Sequence, residues 1–319
     1  MDSRIEKRTI LKSNQDSNMI IRWAHFVQNI FPVFPVQLSV AGRFVFPYLL
    51  VNSVFYPGQI DFLILLLGGV TMTGFTLLLR VFDELKDYEG DKINFPDRPL
   101  VVGIVSVKDL KLFSLAIIGF LSVLNFVFAP TETKVVFAVI IIFSLLIFKW
   151  FFFERAIRAS LPLALVTHNP VVYLYQLYVY SFVYVKAGSF ELTVLTFLLL
   201  EGMTGTAWEI SRKIRVPKQE TDYTTYSKIW SPRIAAGVLF GLVLISYFGC
   251  FWILFQHLSI EMSSQLFLIW LVPLVGVALL GVNLSKYLKL PSQTPKIRES
   301  LEGYIATTYV ASLIFLFLA

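Results

Sequence analysis

Long apolar runs separated by short polar, charged connections dominate the chain. Nine stretches, about 35–55, 61–82, 110–129, 134–153, 161–185, 190–209, 234–255, 264–285 and 301–319, approach or reach the ~17–25 residues that a bilayer-spanning helix needs. No alternation of period two runs through them, so the pattern predicts an all-α, polytopic membrane protein with about nine transmembrane helices. Ahead of the first run, residues 20–30 mix Trp23, Phe26 and Val27 with Arg22, His25 and Gln28, the pattern of an interfacial helix. Phe31-Pro32-Val33-Phe34-Pro35 then breaks that helix and opens the first span. The chain therefore divides into a polar N-terminal segment, 1–30, and a membrane domain, 31–319. The N-terminal segment lacks an apolar h-region, so no cleavable signal peptide is expected.

Composition agrees with this reading. Hydrophobic residues make up 56% of the 319 and mean hydropathy is +0.72, against ~45–50% apolar in soluble chains. Charge becomes informative once it is placed on the predicted topology. Of 27 Lys and Arg, all but Lys134 and Lys186 fall in the N-terminal segment, near the start of the first span, or in alternate connections. Such a bias puts the N-terminus and those connections in the cytoplasm. The formal charge of +6 is then an insertion signal and not a nucleic-acid surface. Cys250 is the single cysteine, and His25, His168 and His257 are far apart, so neither an intrachain disulfide nor a thiolate or histidine metal motif is available.

The chemistry concentrates where the second apolar run ends, at Asp83-Glu84-Leu85-Lys86-Asp87-Tyr88-Glu89-Gly90-Asp91. If the helix continues, Asp83, Asp87 and Asp91 stack on one face at i,i+4 spacing. Like charges at a helix C-terminus are unfavourable on both counts, and a hard cation such as Mg²⁺ bridging carboxylates to a phosphate relieves them. The plainer alternative is a solvated acidic helix end. Two prolines and a glycine follow within 93–103, a loop that carries Arg98. Arg98 reads either as a bidentate phosphate clamp or as an ordinary cytoplasmic loop charge.

Polar residues inside the other spans extend the list. Arg43 in the first span either snorkels to the interface or faces a wet cavity. In the fifth span His168 and Asn169 precede Pro170, with Tyr173, Tyr175 and Gln176 beyond. They either line a substrate pocket or glue helices together. Glu154, Arg155 and Arg158 lie at the mouth of that span as an ion-pair cluster or as phosphate ligands. The sixth span ends in Glu209, Arg212, Lys213 and Arg215 before Pro217. Cations there complement the helix dipole, and on the topology above they share the membrane side of the acidic stretch. Thr224-Thr225-Tyr226-Ser227 comes next as a hydroxyl-rich edge. No nucleophile elbow, phosphate-binding glycine loop or dinucleotide fingerprint occurs.

In these two loops the chain resembles the UbiA superfamily of intramembrane prenyltransferases. The family's first motif, N-D-x-x-D-x-x-x-D, falls on Asp83 to Asp91, with Asp83 in the Asn place, Glu84 in the first Asp place, and Asp87 and Asp91 matching outright. Arg98-Pro99-Leu100-x-x-Gly103 with Ser106 resembles the family's R-P-L-x-x-G-x-I-S stretch. The second motif departs: Glu209 with Arg212, Lys213 and Arg215 stands where another Asp-rich helix end is usual. Only Thr225-Tyr226-Ser227 resembles the T-L or T-Y segment beyond that helix end.

The resemblance implies nine helices around a central cavity and ionisation of an isoprenyl diphosphate at its cytoplasmic mouth. Asp83, Glu84, Asp87 and Asp91 would form the catalytic acidic motif, with Mg²⁺ on Glu84, Asp87 and Asp91. Arg98, Glu209, Arg212, Lys213 and Arg215 would bind the diphosphate, and Arg43, His168, Asn169 and Tyr175 would border the substrate or acceptor pocket. Direct cation contacts would replace part of the metal-mediated binding that the second motif usually provides. An aromatic or other lipophilic acceptor would capture the allylic cation. In the alternative, a membrane terpene cyclase, the substrate's own double bonds capture it. A transporter is the third reading, against which stands the scarcity of Asp and Glu at the centres of the spans.

Overall fold

The structure is a computed structural model that describes residues 18–32, 36–56, 60–220, 225–258, 260–290 and 296–318. Among them there is no strand. The helices are α1 (Met19–Ile30), α2 (Leu38–Phe55), α3 (Phe62–Lys86), α4 (Tyr88–Asn94), α5 (Val107–Phe128), α6 (Thr131–Phe148), α7 (Glu154–Arg158), α8 (Leu161–His168), α9 (Pro170–Ala187), α10 (Leu192–Ser211), α11 (Tyr226–Ile229), α12 (Pro232–His257), α13 (Ile260–Lys289) and α14 (Ile297–Leu318). Among the described residues, seven of the nine expected spans are single helices long and apolar enough to cross a bilayer: α2, α3, α5, α6, α12, α13 and α14. The other two are helical but more polar. The expected span 161–185 is divided at Asn169–Pro170 into α8 and α9, and five tyrosines, Gln176 and Lys186 dilute α9. Glu201 and Glu209 do the same to α10.

The described residues fall into two compact units, those within 1–43 and 63–151 and those within 44–62 and 152–319. In the first unit α5 starts at a capping box: Ser106 Oγ accepts from the Asp109 N–H and Asp109 Oδ2 accepts from the Ser106 N–H. Two orphan amides are thereby satisfied at the point where the loop becomes helix. Farther along, Asn125 Nδ2 donates to Thr71 Oγ1 at 3.0 Å, so α3 and α5 share a buried hydrogen bond. Phe75 of α3 packs on Phe137 of α6. Leaving the unit, Trp150, Phe151 and Phe152 all adopt positive φ, a left-handed turn that costs non-glycine residues roughly 1 kcal/mol each.

The second unit packs α10 against α12, α9 against α10, and α13 against α14. At the last contact Gly276 is required by proximity, since a Cβ there would lie 2.7 Å from the Tyr304 backbone. Phe44, Tyr48, Tyr178 and Phe182 form one aromatic cluster, and Lys186 Nζ donates to Asn52 Oδ1 at 2.7 Å. Large apolar side chains such as Leu115, Phe120, Phe126 and Trp252 are exposed along the long helices. In a bilayer these face lipid.

Candidate functional site

Helix α3 does not continue through the acidic stretch. It stops at Lys86, Asp87 turns the chain at φ −97°, ψ 1°, and α4 starts at Tyr88. The backbone ladder survives the turn, with the Asp87 N–H on Asp83 O and the Asp91 N–H on Asp87 O. The single face of three stacked aspartates expected from the spacing is therefore broken. Repulsion among carboxylates at i,i+4 and the poor helix propensity of Asp favour a turn at that point. The loop expected from Ile93 onward starts later, because α4 runs to Asn94.

The turn sorts the carboxylates. Glu84 points inward and is 1% exposed, and Asp91 is 5% exposed. Both meet one guanidinium: Arg98 Nη1 lies 3.6 Å from Glu84 Oε1 and 2.5 Å from Asp91 Oδ2. Arg80, one turn back on α3, adds a contact to Glu84 at 3.0 Å. Asp83 instead pairs with Lys86 at 2.9 Å, whose ammonium lies over the Trp150 ring. Asp87 sits half-buried in the turn. Glu89 pairs at the surface with Lys92, and that hydrogen bond raises the Lys92 pKa above its ordinary value.

Arg98 is placed by its loop. Its side chain lies over the Phe95 ring, its N–H bonds Phe95 O, and its carbonyl accepts from Val102. Gly103 takes φ +82°, a left-handed conformation suited to glycine, just before Val105 and the capping box. Leu100 and Val105 are buried and anchor the segment. A cleft of about 470 Å³ opens beside it, lined by Arg80, Glu84, Arg98 and Asp97 and, from α1, Asn29 and Ile30.

Two buried carboxylates converging on one cationic nitrogen are an all-oxygen donor set of the kind a hard divalent ion takes. Among the described residues no group of three or more His, Cys, Asp or Glu gathers closely enough to hold a metal by itself. Such a set is chemically compatible with a hard divalent cation that takes its remaining contacts from a bound ligand.

The end of α10 is built differently. Glu209 is held by two cations of its own helix end, Arg212 Nε at 2.7 Å and Lys213 Nζ at 2.8 Å. Arg212 also lies over Trp208 and Lys213 over Tyr226. The backbone of Arg215 is tied by its N–H to Ser227 Oγ and by its carbonyl, which accepts from the Ser227 and Tyr287 hydroxyls. Thr225, Tyr226 and Ser227 are buried, and burial raises the Tyr226 pKa. Thr224 lies outside the described residues.

In the fifth expected span, Asn169 Nδ2 donates to Thr206 Oγ1 and the Tyr173 hydroxyl meets the same oxygen, which joins α9 to α10. For Asn169 this contact is of the helix-joining kind. His168 Nδ1 meets the Thr167 hydroxyl, and Tyr175 is buried. Arg43 is half-buried in the second turn of α2. Glu154 and Arg158 form an ion pair at 2.9 Å. The sequence reading missed Glu201, near the middle of α10, whose carboxylate accepts from Gln176 Nε2. It borders a cavity of about 30 Å³ with Ser246, Tyr304 and Thr308, room for a water. It also missed Asp109, although S-x-x-D ahead of an apolar run is a capping signature.

No family model and no curated protein matches the sequence. Solved structures do match. The apo structure of a UbiA homolog from Aeropyrum pernix K1 superposes with TM-score 0.59, over 87% of this chain and 97% of that one, at 12% identity. The chain has the UbiA fold. A digeranylgeranylglyceryl phosphate synthase also superposes, with TM-score 0.55 over 93% of this chain and 98% of that one, at 19% identity. The resemblance first visible in two loops thus extends over most of the UbiA fold, in an integral membrane protein.

Proposed function

We propose that this protein is a Mg²⁺-dependent intramembrane prenyltransferase that ionises an isoprenyl diphosphate and passes the prenyl group to a lipophilic acceptor. The observation that carries the reading is the pair of buried carboxylates, Glu84 and Asp91, gathered on Arg98 at the end of a membrane helix, beside an open cleft. The UbiA fold supports it. Burying two carboxylates against half-buried arginines adds little as pure scaffolding, since apolar packing is often as stable or better. A metal-diphosphate ligand supplies a reason to keep them.

When bound, Mg²⁺ supplies charge neutralisation of the diphosphate leaving group. Glu84, Asp87 and Asp91 would hold it. The Arg98 guanidinium offers two N–H groups to phosphate oxygens, and Arg80 keeps Glu84 compensated when Arg98 turns to the ligand. As the C–O bond breaks, both electrons leave with the diphosphate, and these cations stabilise the charge that develops there. Arg212, Lys213 and Arg215 are further diphosphate ligands in this reading. His168, Tyr175 and Arg43 border the prenyl or acceptor pocket, and the acidic motif faces the cytoplasm.

The second motif's departure favours keeping the terpene-cyclase reading as the alternative: Glu209 is occupied by Arg212 and Lys213, so the usual second carboxylate site is not built. One experiment separates the two. Purified protein is given Mg²⁺ with geranyl, farnesyl or geranylgeranyl diphosphate, first alone and then with aromatic acceptors or a glyceryl phosphate lipid. Diphosphate release that requires an acceptor is the expected result. Release with a cyclic hydrocarbon and no acceptor would establish the cyclase. Silence under all conditions, from protein that is intact and monodisperse, would overturn both.

A further inference from the structure

The amphipathic helix α1, read from sequence as a cytoplasmic segment outside the membrane domain, is built into the first unit. Arg22 donates from Nε to Asp109 Oδ2 at 3.0 Å and from Nη2 to Asp109 Oδ1 at 2.7 Å, a bidentate pair between residues 87 positions apart. Trp23 Nε1 donates to the Asp109 carbonyl at 3.0 Å. Trp23 stacks on Phe113 at 4.8 Å, and the fully buried Phe26 meets the same ring edge-on. An interfacial anchor needs only an apolar face and flanking charge. A planar two-point contact to one buried carboxylate is a docking device.

The position of that carboxylate gives the contact its meaning. Asp109 Oδ2 also accepts the Ser106 N–H, closing the capping box that ends the Arg98 loop. One side chain thus fixes both the downstream end of that loop and the start of α1. From Arg22, α1 runs about 10 Å, at 1.5 Å per residue, to Asn29 and Ile30. These two line the same cleft as Arg80, Glu84 and Arg98. Beyond α1, Phe31 is buried, and Gln37 Nε2 donates to its carbonyl.

We propose that α1 is a wall of the anion cleft, with the Arg22–Asp109 pair as the positioning contact that sets the wall and the Arg98 loop for a phosphate-bearing ligand. The proposal rests on the diphosphate reading above and adds Arg22, Asp109 and Asn29 to it. Asn29 is exposed at the rim and its amide is turned to His25 O. A charge placed there would act on the ligand through the cleft without disturbing the core.

The test uses the full-length protein in detergent and binding of inorganic diphosphate with Mg²⁺, measured by calorimetry. Arg22→Ala is expected to weaken binding about tenfold, and Arg22→Lys should restore little, because a point charge cannot make the two-point contact. Amide exchange in residues 95–106 should rise in both. With prenyl diphosphate as substrate, KM should rise while kcat is largely kept. Asn29→Asp should weaken binding and Asn29→Lys should tighten it, each by about threefold and less at high salt. This opposed pair decides the matter if the Arg22 variants do not fold. Wild-type affinity in the folded Arg22 variants, or no opposed shift at Asn29, would overturn the wall. Asp91→Asn run alongside keeps the two ideas apart. If it also binds normally, the diphosphate reading itself fails; if it alone loses binding, only the wall does.

Discussion

Both units carry a cluster of carboxylates and cations, and the clusters are made in opposite ways. In the second unit, Glu209, Arg212 and Lys213 pair at i,i+3 and i,i+4 along one helix end. Such contacts form wherever the helix forms and are worth roughly 0.3–0.5 kcal/mol each. In the first unit, Glu84, Asp91 and Arg98 come from α3, α4 and the loop beyond, and they meet only once those elements are packed. The two carboxylates are buried and Arg98 is half-buried, so removing the arginine leaves Asp91 without the cation that pairs it. A locally satisfied cluster can stay as it is when a ligand comes and goes. A buried tertiary cluster with its shared cation beside an open cleft is poised to exchange that cation's contacts for a ligand's.

The comparison yields tests of decreasing size. Asp91→Asn or Glu84→Gln should lower diphosphate release by on the order of 10²-fold or more, since each removes a carboxylate from the charge-stabilising set. Release at wild-type rates from folded protein would break the contrast outright. Arg98→Ala should weaken binding of Mg²⁺ and inorganic diphosphate by about 10–100-fold and lower stability by about 3 kcal/mol. Calorimetry and thermal unfolding measure the two effects separately. Arg212→Ala and Lys213→Ala should cost about threefold in binding by the loss of a partly exposed charge, and more than the same change at Lys286. Equal effects at all three would mark the α10 end as a topology signal only. Glu209→Gln is the smallest, within about 1 kcal/mol of wild-type stability because its partners remain solvated.

Much of this was legible in the sequence, and the reason is physical. Hydropathy and length reveal a membrane helix because a bilayer demands both, and α2, α3, α5, α6, α12, α13 and α14 are the helices for which that demand is simplest. The acidic stretch and the Arg98 loop stood out because charge is expensive near a membrane. Their geometry did not stand out. The i,i+4 spacing of Asp83, Asp87 and Asp91 suggests one face, yet Asp87 turns the chain, and Glu84 rather than Asp83 is the residue driven inward. Long-range pairing was invisible for a related reason. Asp109 read from sequence is one acid at a helix start, and nothing local says that Arg22, 87 positions earlier, will grip it. Glu201 was overlooked because nothing local marks its partner: Gln176, which donates to it, lies on another helix.

That separation of 87 residues also sets an order of assembly. Helix α1 leaves the ribosome ahead of its carboxylate partner, which is synthesised roughly 4–17 s later at 5–20 residues per second. In the interval two membrane segments and the whole acidic stretch are made. Helix α1 therefore docks later than it is made, and the cleft gains its wall only after the carboxylates it borders have been synthesised.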